Sequence, residues 1–340
     1  MEKLAKKRVT LRHLARICDL SVSTVSQILN DRDSYCTEKT KQFVKNTARE
    51  LGYRPNIGYK LMHGITTRTA AIILSYSDMI SGEYLQKIML HLIDRLNEKG
   101  YFVYTAKMPT SWPERKQAME RVLERGVEFL IALWKPCEWE DLEVIARQLP
   151  VVVMGSVPAS LKIASVDIDV IYGVTQIFEH FRNSGCQNIR MVSTLDNYDR
   201  ITAFSRFMNL EGKELAPYIV PLTGRDTCLR HNEQEPEIAM EIGYRKTREL
   251  MEREPEVDAI FYFTDLYALG GAKYLLETGR VIGKDIRIAG YNNTTAVRCL
   301  PYPISSVGQN EEETVRLLLD FEAGKPPCRI VQRPDVFIRN

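Results

Sequence analysis

The chain reads as an all-α head joined to an α/β body of doubly wound parallel sheets. Three observations predict this. The first 55 residues hold three short helical stripes with capping residues at their ends. From about residue 68, apolar β-branched runs alternate with amphipathic helical stretches, the pattern of parallel strands joined by crossover helices. Charge is also divided. Residues 1–60 carry 13 Lys/Arg against 6 Asp/Glu, a surplus of +7 in a chain of net charge +2, so the remainder stands at −5. A basic head on an acidic body fits contact with phosphates by the head alone.

Thr10 suits an N-cap, and Leu11, Leu14, Ala15 and Ile17 follow as the inward stripe of a first helix. Asp19-Leu20 forms a tight break, at a position where Asp tolerates left-handed backbone. Ser21 caps a second helix whose inward stripe is Val25, Ile28 and Leu29. That leaves Val22, Ser23, Thr24, Ser26 and Gln27 outward or on the leading turn. Short polar side chains at a helix N-terminus reach phosphates and base edges together. Gln27 suits adenine, and the Val22 methyls suit the methyl group of thymine. A third helix runs from Thr37 to Leu51, with Val44, Ala48 and Leu51 inward and Gly52 closing it. The alternative is a capped helical hairpin without a nucleic-acid role.

The body follows the same logic. Strands are expected at Ala70–Leu74, Phe102–Thr105, Phe129–Leu133, Val151–Met154, Ser165–Asp167, Asn188–Val192, Tyr218–Pro221, Ala259–Phe263 and Arg287–Ala289. Helices are expected at Tyr84–Lys99, Trp112–Arg125, Leu142–Leu149, Val174–Ser184, Arg200–Gly212, Glu235–Arg253, Ala268–Gly279 and Gln309–Ala323. Seven scattered Cys without CxxC pairs read as reduced thiols. The five His lack metal spacing, and no P-loop, GxSxG or carboxylate pair appears. The reading is therefore no enzyme, no metal and no cofactor. No signal peptide and no membrane-length apolar run is seen, which points to a cytoplasmic protein without a membrane partner.

At VTLRHLARICDLSVSTVSQILN and TEKTKQFVKNTARELGYRPN the chain resembles the lactose/galactose-repressor (LacI/GalR) family. It shares Val9-Thr10, Leu14-Ala15, Ser21, Thr24-Val25-Ser26, Leu29-Asn30, Leu51-Gly52-Tyr53 and Pro55-Asn56 with the family pattern. Asp19 replaces a turn Gly, and Gln27 replaces an Arg, which shifts base preference away from guanine. The resemblance implies a lambda-repressor-like helix-turn-helix domain over 1–55 and a hinge helix or linker over 56–67. It implies a periplasmic-binding-protein-like effector and dimerisation body over 68–340. The N-lobe is expected at about 68–165 and 293–323, and the C-lobe at about 166–292 and 324–340.

It further implies a repressor that binds a double-stranded, pseudo-palindromic DNA operator as a homodimer, with a small-molecule effector between the lobes. DNA contacts fall to Thr10, Ser21, Val22, Ser23, Thr24, Ser26, Gln27 and Asn30, with Asn56, Tyr59 and the wedge Met62 in the hinge. Gly58 and the bulky Tyr59 leave an ordinary linker as the alternative there. Arg200, Asp265 and Asn292 match the family's ligand positions; Ser77, Asp78 and Trp134 are the further candidates. The alternatives are a helix-end salt bridge for Arg200, an N-cap for Asp265, and a core or interface place for Trp134. A solute-binding protein with the same body is the alternative function. No Leu heptad follows the last lobe, so no tetramer is expected.

Overall fold

The computed structural model describes residues 9–30, 35–54, 66–75, 83–109, 111–195, 198–223, 236–321 and 328–340. The chain separates into two compact units, Met1–Thr67 and Arg68–Asn340.

The first unit holds α1 (Leu11–Cys18), α2 (Val22–Leu29) and α3 (Glu38–Glu50). Each begins with a hydroxyl cap. Thr10 accepts the His13 N–H, Ser21 the Thr24 N–H and Thr37 the Thr40 N–H. Each cap satisfies an amide that has no intrahelical partner and contributes about 1 kcal/mol. Asp19 closes α1 at φ 54°, the left-handed turn that lets α2 start three residues later, at Val22. Leu14, Ala15, Cys18, Val25, Ile28, Val44 and Ala48 form the core. Three sequence expectations shift. Ile17 is exposed and Cys18 takes the inner place, because Leu14 and Cys18 are one turn apart on the same face. Ser26 is 8 % exposed. Leu29 and Leu51 are only half-buried at the rim.

The second unit contains two six-stranded sheets. The N-lobe sheet takes β1 (Thr69–Leu74), β2 (Phe102–Lys107), β3 (Phe129–Leu133), β4 (Val151–Met154), β5 (Ala164–Ile168) and β11 (Arg329–Gln332), ordered β11-β5-β4-β3-β1-β2 and wholly parallel. The C-lobe sheet takes β6 (Ile189–Ser193), β7 (Ile219–Pro221), β8 (Ala259–Tyr262), β9 (Arg287–Tyr291), β10 (Ser305–Gly308) and β12 (Asp335–Phe337), ordered β12-β10-β9-β8-β6-β7. Only β12 is antiparallel there, against β10.

Strand side chains alternate between two apolar layers. Ala70, Ile72 and Leu74 pack under α4 (Glu83–Glu98) and α13 (Glu311–Leu319). Ala71 and Ile73 face the layer beneath α5 (Trp112–Leu123) and α6 (Trp139–Ala146). The C-lobe repeats this, with α7 (Val170–Asn183) and α8 (Tyr198–Met208) on one face. On the other lie α10 (Pro236–Arg253) and α11 (Asp265–Glu277). Burial on both faces is why β1, β3 and β4 read as unbroken apolar runs. Short α9 (Gly212–Leu215) and α12 (Thr295–Arg298) complete the α-helices among the described residues, and a 3-10 turn spans Ala216–Tyr218.

The lobe limits need correction. The chain crosses between sheets at 168–170, 308–311 and 332–335. Residues 293–308 therefore belong to the C-lobe, because β10 pairs with β9, and 329–332 to the N-lobe, because β11 pairs with β5. Gln332 ties the three crossings together. Its carbonyl accepts Asp169 N–H at 2.8 Å, its Oε1 the Thr314 hydroxyl at 2.7 Å, and its Nε2 donates to Asn310 O at 3.2 Å.

Candidate DNA-reading helix and effector site

In the first unit, α2 offers its leading turn outward. Ser21, Val22, Ser23 and Gln27 are exposed, and Thr24 is half-buried. Ser21 Oγ lies 2.8 Å from Thr24 Oγ1, so both hydroxyls are committed to the cap while keeping an outer edge. Ser26 departs from the expected face: it follows Val25 on the inner side of α2, where the three helices meet. Asn30 donates from Nδ2 to Ser26 O at 2.7 Å and closes the helix, while Thr10 is the exposed cap of α1. Asn56, Tyr59 and Met62 lie outside the described residues.

In the second unit the candidates gather at the carboxyl ends of the strands, where open α/β sheets bind ligands. Arg200, in the first turn of α8, is buried. Its Nη1 donates to Phe263 O, and its guanidinium lies 4.4 Å from the Phe263 ring centroid and 4.1 Å from that of Tyr291. Burial lowers its pKa to about 10, against the pull of Tyr291, Asp199 and Asp265, so it keeps its charge at neutral pH.

Asp265 opens α11 and is fully buried. Thr264, not Asp265, occupies the N-cap position. The carboxylate is used on the neighbouring loop. It accepts Thr294 N–H at 2.6 Å and the Ser306 hydroxyl at 2.7 Å. Ser306 in turn accepts Asn293 N–H at 2.9 Å. Gly290 makes the approach possible, since a Cβ there would meet the Asp265 backbone at 2.8 Å and collide with its carboxylate. Asn292 is half-buried at φ 99°, with its N–H on Val307 O at 2.7 Å. Arg200 and Asp265 are thus brought together, with Asn292 on the loop that Asp265 anchors.

Trp134 sits after β3 in the other sheet, 37 % exposed and at φ 65°. A left-handed backbone costs a bulky residue roughly 1–2 kcal/mol. Ser77 and Asp78 lie outside the described residues.

Sequence reasoning missed a second acidic group. Asp167, at the end of β5, is raised in pKa by burial and by Asp199, against the Ile168 amide and the Ser156 hydroxyl. Asp167 and Asp199 also act on Tyr291, whose phenol burial pushes up to about 12 against Arg200. A carboxylate of the N-lobe sheet therefore stands within electrostatic reach of Asp199 and Tyr291 of the C-lobe, and both of these act on Arg200. The available signal was an ionisable residue ending an apolar strand, in SVDID. Two carboxylates, a guanidinium and a phenol suit a ligand with several hydroxyls. Among the described residues no group of His, Cys, Asp and Glu is placed to hold a metal.

Residues 10–56 match the bacterial regulatory proteins of the lacI family, and residues 178–322 match the periplasmic binding protein-like domain. The HTH-type transcriptional regulator CelR of Thermobifida fusca is 25% identical over 345 residues, covering 98% of each chain. A CelR–cellobiose complex matches at TM-score 0.62 and 24% identity, over 98% of this chain and 99% of that one. A Lac repressor dimer bound to operator and the anti-inducer ONPF matches at TM-score 0.74 and 20% identity, over 97% and 98%.

Proposed function

We propose that this chain, which matches the lacI family over residues 10–56 and the periplasmic binding protein-like domain over residues 178–322, is a ligand-responsive transcriptional repressor of the lacI type. It binds a pseudo-palindromic operator as a homodimer in the cytoplasm, with a sugar or related metabolite held between the lobes, and turns over no substrate. The observation that carries this reading is α2, which is capped, anchored by Val25 and Ile28, and outward-facing at Val22, Ser23 and Gln27. One three-helix head covers a single half-site, so a two-fold site calls for two heads. A sugar is favoured by the Asp167, Asp199 and Arg200 group, and the cellobiose in the CelR complex supports it. A solute-binding role alone would leave the basic head without a task.

The test is the base preference of Gln27. Gln27→Ala should relax specificity at one operator position by about 1–3 kcal/mol and leave the others intact. Equal loss at every position, or none, would count against the assignment.

A further inference from the structure

The exposed ring of Trp134 stands on a strained backbone, and strain of this kind persists only where the surroundings over-determine it. Here three loops do so. Trp134 N–H donates to Met154 O at 3.0 Å, and the buried Ser75 hydroxyl donates to Trp134 O at 2.8 Å. Behind them lies Arg115, on α5, only 2 % exposed. Its guanidinium donates to Ser75 O at 2.9 Å, to Lys135 O at 3.3 Å and to Pro109 O at 2.7 Å. Those carbonyls belong to the loops after β1, β3 and β2. One cation thus clamps the residue that holds the Trp134 carbonyl and the residue that follows Trp134. The ring itself lies over Gly155, with Cδ1 3.5 Å from where a Cβ would stand. A side chain there would press on the indole.

We propose that Arg115 is a positioning residue of the effector site. Through Ser75 and Lys135 it presets Trp134 as a fixed aromatic wall at the carboxyl end of β3. Such a wall takes a ring-shaped ligand with a flat apolar face, which it contacts by stacking. The inference rests on the reading that an effector binds between the lobes, and its test separates the two.

The full-length chain carrying Trp112→Phe and Trp139→Phe retains Trp134 as its sole indole. Fluorescence anisotropy and acrylamide quenching of Trp134 are then compared with and without Arg115→Lys, which keeps the charge but cannot grip three carbonyls. The expected result is lower anisotropy and easier quenching, with cooperative melting retained. Ser75→Ala should act in the same direction, and it decides the matter if Arg115→Lys does not fold. Unchanged anisotropy and quenching would overturn the positioning role. Cellobiose, ribose and adenine are next titrated in. A probe that raises the melting temperature should also shift Trp134 emission, with an affinity about tenfold weaker in Arg115→Lys. A probe that stabilises the chain without moving Trp134 emission would overturn the wall. Failure of all three to stabilise it counts against the effector reading instead, while the anisotropy result still decides for or against Arg115.

Discussion

Asp265 spends both carboxylate oxygens inside the C-lobe, on Thr294 and Ser306. Burial raises its pKa from 3.8 to about 6, and the two hydrogen bonds only partly oppose that rise. An acid whose folded-state pKa is raised favours the fold in its protonated form. Its contribution is complete below pH 3.8 and is lost as pH rises through about 6. Asp265→Asn cannot ionise, so urea midpoints of the variant should fall less between pH 4 and pH 7 than those of the parent. A parallel fall in both chains would show that Asp265 does not titrate in this window. The same geometry changes how the residue serves a ligand. Asp265 holds the 292–295 loop through Thr294 and Ser306, so its oxygens are engaged by the protein itself.

At the scale of elements, the N-terminus of α4 meets the N-terminus of α12. Glu83 accepts Thr295 N–H at 2.8 Å and the Thr295 hydroxyl at 2.6 Å, with Lys87 at 2.7 Å and Arg298 at 3.7 Å beside it. Burial alone would raise its pKa, but the hydrogen bonds from Lys87 and Thr295 and the charge of Lys87 bring it down to about 2. This contribution is present above pH 4.5 and lost as pH falls toward 2. Glu83→Gln should therefore lower stability at pH 7 by about 1 kcal/mol or less, since the partners are partly exposed, and the gap should narrow below pH 4.5. A constant gap across pH, followed by urea denaturation, would contradict the assignment. Elements carried by apolar period were legible in the sequence, as β1, β3 and β4 show. Strands β10 to β12 were not. Ser305-Ser306-Val307-Gly308 carries too little apolar character to signal a strand, yet all four residues are buried, and its hydroxyls anchor Asp265 and Arg339. Arg200 and Asp265 were found through their motifs. Asp167 was not, because its meaning depends on a partner on another strand, far along the chain.

For the whole molecule, two compact units imply separable tasks. The body from Arg68 onward holds its own apolar layers, so a chain lacking residues 1–67 should still unfold cooperatively. On the proposed function, an effector that changes operator affinity must have its own affinity changed by the operator by the same factor. The three crossings between the sheets are joined at Gln332. If α2 reads DNA, selection of bound duplexes from a random pool will show it. The full-length chain should enrich a pseudo-palindromic sequence with two half-sites, and the chain lacking residues 1–67 should enrich none. Recovery of no common sequence by the full-length chain, or equal enrichment by the truncated one, would contradict it.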